Sequence, residues 1–209
     1  MKRVILLIGI CAIFLSFAFV KAQPSTMLLE KAVATLDTTG SASGWKAARN
    51  QFQRLAVADA GNWLPLYYQA YTDIELVFRT SDVEERSLYL QDAGRCLEKL
   101  NKMKPSSDAI RSECLTLSGY WYYAQVAVDP AANGPKYAGL ISARFAEALQ
   151  WNPLNPRAML LNASFQQRMA AFMNTSYPRY ADDRQQASVL LEQETADVFP
   201  HWGRLQLAY

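Results

Sequence analysis

Residues 145–158 read Phe145-Ala146-Glu147-Ala148-Leu149-Gln150-Trp151-Asn152-Pro153-Leu154-Asn155-Pro156-Arg157-Ala158. Ala146, Glu147, Ala148, Leu149 and Gln150 favour a helix, with Phe145 and Ala148 on one face. Pro153 stops that helix, because proline lacks the amide and pushes the residue before it out of the α conformation. Asn155 then suits an N-cap and Pro156 the first turn of a new helix. The stretch is a helix, a tight turn and a second helix.

The same junction recurs along the chain. A small or apolar residue, a large apolar one four later and a third position three beyond occur as Ala48-Phe52-Leu55, Ala93-Leu97-Leu100, Ile141-Phe145-Ala148 and Ala187-Leu191-Glu194. The middle positions are 45, 48 and 46 residues apart. Positions i, i+4 and i+7 share a helical face, so each set predicts a buried stripe. A turn follows each stripe, at Ala60-Gly61-Asn62, Pro105, Pro153 and Pro200. Predicted helices run over about 25–37, 43–59, 62–79, 83–103, 107–128, 136–151, 155–174, 181–198 and 201–208. Asn62, Asp108 and Asn155 suit N-caps. Asp129–Pro135, with two prolines, is expected to interrupt the helices on either side.

These landmarks resemble the tetratricopeptide repeat family. Phe145–Ala158 looks like the second helix and exit turn of such a repeat. The family's first-helix pattern, Trp-x2-Leu-Gly-x2-Tyr, is matched in part by Trp202, Leu205 and Tyr209, and by Trp63 and Leu66 with Tyr67 in the glycine position. The spacing exceeds the family's period of about 34 residues. The resemblance implies an all-α fold, a right-handed stack of about four antiparallel helical hairpins. It implies a protein-binding scaffold and no catalytic residue. One hairpin cannot cover its own apolar face, so neighbours bury it.

Residues 1–22 read as a secretory signal: Lys2 and Arg3, an apolar run over Val4–Val20, and Val20-Lys21-Ala22 before a cleavage site. The domain is then 23–209. An uncleaved anchor through Val4–Val20 is the other reading, since the run reaches the shortest spanning length of about 17 residues. Either way the body is exported, to the periplasm or outside the cell. Without Lys2, Arg3 and Lys21, the 21 basic residues fall to 18 against 19 acidic, a net charge of about −1. No basic excess remains for phosphate, so nucleic acid is not an expected partner.

Cys96 and Cys114 lie equidistant from Pro105 and could face each other across the turn, as a disulfide in an oxidising compartment. Two buried free thiols are the alternative. The lone histidine, His201, follows Pro200 and has no neighbouring nucleophile or metal-ligand pattern. Asp182-Asp183 suits a helix N-terminus. No phosphate loop or nucleophile elbow occurs, and no cofactor or metal is expected. Asn162 and Asn174 begin glycosylation sequons, the first inside a predicted helix.

The aromatic clusters remain. Trp63, Tyr67, Tyr68 and Tyr71 share one predicted helix, and Tyr120, Trp121, Tyr122 and Tyr123 share another. Consecutive rings point about 100° apart, so they cannot all face one core. They either fill the space between helices or line a binding groove, with Arg111, Arg157 and Gln125 as polar partners. The leading expectation is an exported, non-catalytic scaffold or adaptor that holds a protein or peptide in a cell-envelope complex. The alternative is a small-ligand binder, or an unrecognised enzyme, that uses the aromatic groove.

Overall fold

The computed structural model describes residues 26–36, 38–195 and 199–208. The expected signal at 1–22 lies outside the described residues. The chain is all-α, with no strand among the described residues. After α1 (26–36) come α2 (Ala42–Ala58), α3 (Trp63–Arg79), α4 (Val83–Lys102), α5 (Asp108–Val128), α6 (Pro130–Trp151), α7 (Pro156–Phe172), α8 (Tyr180–Gln193) and a 3-10 turn at Leu205–Ala208. No described helix is long and apolar enough to cross a membrane.

From α2 to α8, each helix packs on its sequence neighbours, and α3 also touches α5, as α5 touches α7. The expected stripes face inward. Ala48, Phe52, Ala93, Ile141, Phe145, Ala148, Ala187 and Leu191 are fully buried, and Leu97 is partly so. Gly119 lets α5 and α6 approach closely: a Cβ there would lie 2.6 Å from Cε1 of Phe145. Asn155 knots three helices at one turn. Its Oδ1 caps α7 at the Ala158 amide (3.1 Å), while its Nδ2 donates to Ser112 (2.9 Å) and Thr116 (3.3 Å) on α5. Ser112 in turn donates to the Ala148 carbonyl at the end of α6 (2.8 Å). The quoted helix–turn–helix is therefore satisfied in its buried polar groups as well as its apolar ones.

The structure departs from the expectations at several places. Asp129–Pro135 does not interrupt the helices for long: Asp129 ends α5 and caps α6 at the Ala132 amide (3.0 Å). Pro130 takes the first helical position, where no amide partner is needed, and Pro135 lies inside the helix. Ser107, not Asp108, caps α5 (3.3 Å to the Ile110 amide). The helix expected to reach 198 ends at Gln193, and Glu194 turns extended. The final helix shrinks to the 3-10 turn.

Cys96 and Cys114 are free thiols. Cys96 is buried beside Asp73 and Asp92, whereas Cys114 lines a different surface. Helical phase separates them, since the residues' equal distance from Pro105 does not set which way each side chain points. Asp182 and Asp183 fall in the first turn of α8 as expected, and Asp183 accepts from Tyr177 (2.6 Å) and Arg179 (2.8 Å). Asn162 sits half-buried within α7, while Asn174 is exposed with φ 54°.

Candidate functional site

Tyr67, Tyr68 and Tyr71 on α3 and Tyr120 on α5 come together, and all four are buried. Residues 199–206 of the chain pack on them, alongside Trp45 and Phe52 of α2. The Trp202 ring stacks between Tyr71 (centroids 4.4 Å, 18°) and Tyr120 (5.8 Å, 20°). Its indole N–H donates to the Tyr67 hydroxyl (2.8 Å). The Phe199 ring meets Trp63 edge-on at 5.8 Å, and the Phe199 carbonyl accepts from Tyr68 (3.3 Å). Gln206 donates to Glu75 (2.7 Å) and to the Tyr71 hydroxyl (3.3 Å).

A buried ion cluster anchors this arrangement. Arg157 stands in the first turn of α7 at 2% exposure. Its Nε donates to both Glu113 oxygens (3.0 and 3.1 Å), and its terminal nitrogens grip Glu194 (2.9 and 2.7 Å) and the Trp202 carbonyl (3.1 Å). Glu113 also accepts from Tyr67 (2.7 Å). Burial opposes charge on Arg157, but Glu113 and Glu194 overcome it and hold the guanidinium above its ordinary pKa. Burial raises Glu113, although Arg157 and Tyr67 pull the other way. Burial also lifts Tyr67, Tyr71 and Tyr120 well above the usual phenol range, with nearby carboxylates adding to it, so all three stay protonated; Tyr67 donates to Glu113 and Tyr120 to Glu75, both at 2.7 Å.

The opposite side of α5 borders an open cleft of about 1060 Å³ between α4, α5 and α6. Ser87, Gln91, Gly94, Glu98 and Asn101 of α4 line it, as do Arg111, Leu115, Ser118, Tyr122 and Gln125 of α5. Both series step by i, i+4, i+7, i+11 and i+14, a single helical face. Arg144, Glu147 and Trp151 of α6 close the third side. The Arg111 guanidinium sits 4.1 Å above the Trp151 ring. Trp121 donates to the Leu90 carbonyl (2.8 Å), holding α4 against α5. Arg95, Lys104, Arg111 and Arg144 bring four cations, against Glu98 and Glu147.

The expected groove set thus splits. Trp63, Tyr67, Tyr68, Tyr71, Tyr120 and Arg157 belong to the filled groove, whereas Trp121, Arg111 and Gln125 belong to the cleft. Tyr123 is half-buried beside Phe78 and Phe165. The sequence reading missed Glu75, Glu113, Glu194 and Gln206 in the groove. It also missed Arg95, Lys104, Arg144 and Trp151 in the cleft. The periodic polar face of α4 and α5 was the signal that could have found part of the cleft. His201 is buried in a separate pocket of about 210 Å³ and does not line the cleft. Among the described residues no cluster of His, Cys, Asp or Glu could hold a metal ion.

No protein-family model matches the chain, and no curated protein matches it. Among solved structures it is similar to the HusA haemophore from Porphyromonas gingivalis, with a TM-score of 0.73 and 24% identity over 87% of this chain and 88% of that one. At that identity the likeness establishes a shared all-helical fold.

Proposed function

We propose that this chain is an exported, non-catalytic binding protein whose ligand site is the cleft between α4, α5 and α6. One observation carries the reading: an open cleft of about 1060 Å³ that combines ring surfaces from Trp121, Tyr122 and Trp151 with four cations. Small-molecule sites span roughly 300–1,000 Å³ and pair apolar walls with a few placed polar groups. The ligand chemistry that suits this lining is a flat or partly apolar organic anion. Haem, with two propionates, is one such molecule, and the name of the HusA haemophore makes it the first to test. The cleft's cations would take the carboxylates. Burial pushes the Cys114 thiol up to about 12, which keeps it protonated and a weak metal ligand. Recognition here rests on ring contact and charge.

Titration of the secreted form with haem, read by absorbance and by tryptophan emission, tests this. We expect saturation near one equivalent, and at least about tenfold weaker binding when Arg111 and Arg144 are both replaced by alanine. A folded protein that gives no saturable signal with haem at micromolar concentration would remove haem as the ligand. Failure with a series of apolar carboxylates as well would remove the cleft reading.

The second reading is the envelope scaffold. Helices that pack in chain order, with α3 against α5 and α5 against α7, support a tetratricopeptide-like stack. It ranks second because the groove such a scaffold would offer to a partner is occupied by residues 199–206.

A further inference from the structure

The filled groove has the anatomy of a peptide complex made within one chain. Residues 199–206 reach partners 131 to 135 positions earlier in the sequence, on α3. The groove reads the segment at its side chains and at its backbone. Trp202 fills the slot between Tyr71 and Tyr120, and Phe199 lies against Trp63. The carbonyls of Phe199 and Trp202 accept from Tyr68 and Arg157. Gly203, at φ 126°, adopts a backbone that other residues rarely take, and a Cβ there would lie 3.1 Å from Leu191. These are features of peptide recognition: pockets for spaced side chains, with hydrogen bonds to the peptide's backbone carbonyls between them.

We propose that the groove is a receptor for the Phe199–Gln206 segment as a separable peptide, and that two copies of this chain join by exchanging it. The second copy is the occupant because it carries a segment that matches every contact just named. Exchange of the same segment between identical chains requires no new interface. A short tether gives the chain's own segment an effective concentration of around millimolar. The single copy therefore keeps its groove closed at micromolar concentration. Exchange takes over where copies are crowded, or where the resident segment is weakened. This site is distinct from the cleft, so its failure leaves the ligand reading intact.

The test uses a fluorescently labelled peptide of residues 199–206 and the full chain. Trp202→Ala loosens the resident segment but leaves the receptor groove whole. We expect this variant to bind the peptide at least about tenfold more tightly than the unmodified chain, in which the tethered segment competes. Phe199→Ala, which removes the ring contact with Trp63, should fall between them and serves if Trp202→Ala loses its helical circular dichroism. Mixing Trp202→Ala with Tyr120→Ala, which keeps the segment but damages the slot, should give a heterodimer by sedimentation that neither forms alone. Equal peptide binding by the variants and the unmodified chain overturns the receptor assignment, as does no binding by either folded segment variant. Peptide binding without a heterodimer overturns the exchange between copies.

Discussion

The face of α5 that carries Glu113, Thr116 and Tyr120 is sealed under α3, the start of α7 and residues 199–206, whereas the face that carries Arg111, Ser118 and Tyr122 borders an open cleft. Both faces mix rings with charges. On the sealed face every charge has a partner at hydrogen-bond distance, Glu113 with Arg157 and Tyr67, and Arg157 with Glu194. On the open face Arg111 lies on a ring, and Arg144 has only its neighbour Glu147 at 2.8 Å on a solvated helix. The same residue types therefore do different things. Where water is excluded, a broken pair leaves an unpaired buried charge and costs stability. Where water enters, a charge adds little to stability and stays free to meet a ligand.

The largest expected effect tests the sealed side. Arg157→Ala strands Glu113 and Glu194 and should cost roughly 3–5 kcal/mol by urea denaturation. A loss below about 1 kcal/mol would erase the contrast between the two faces.

Next comes Asp73 of α3, fully buried within the α2–α3–α4 packing. One oxygen accepts from Arg49 at 2.8 Å and the other has no hydrogen-bond partner. Burial is the main reason its pKa rises to about 7 from 3.8, with Asp92 adding to the rise while Arg49 and Arg95 oppose it. The folded state thus holds a proton that the unfolded chain releases. The resulting stability is full below the unfolded value and is lost as pH climbs through about 7. The protein should gain on the order of 2–3 kcal/mol between pH 8 and pH 5, and Asp73→Asn should flatten that slope. Melting temperatures across this range are the measurement, and an equal slope in both proteins would refute the assignment.

Smaller effects sharpen the open side. Arg111→Ala should shift stability by no more than about 1 kcal/mol, since the side chain stacks on a Trp151 ring that is 38% exposed. The same change should weaken binding of a cleft ligand about tenfold by fluorescence titration. The smallest expected effect is none: a reductant should leave the melting temperature unchanged, because Cys96 and Cys114 are free.

Much of the helical plan was legible in the chain. The stripes at Phe52, Ala93, Phe145 and Leu191 and the turn at Asn155-Pro156 depend on local periodicity and capping, which neighbouring residues set. Asp129–Pro135 was misread because proline at a first helical position reads in sequence much like a break. The groove was legible as aromatics, but not its occupant. Trp202 meets Tyr67 across 135 positions, and no local pattern encodes a contact at that distance. The cleft was half legible, through the polar face of α5. It needed α6 to bring Arg144 and Trp151 beside Arg111.

The sequence by itself determined that this is a chain of amphipathic helices, and it raised the expectations of an export signal, of no nucleic-acid partner and of no catalytic set. These follow from composition, periodicity and capping, all short-range properties. Only the tertiary structure decided which aromatic face is closed and which is open. That choice depends on where residues 199–206 fold back and how α6 leans on α5. Both are set by packing between segments far apart in the chain, where a side chain's direction matters more than its identity.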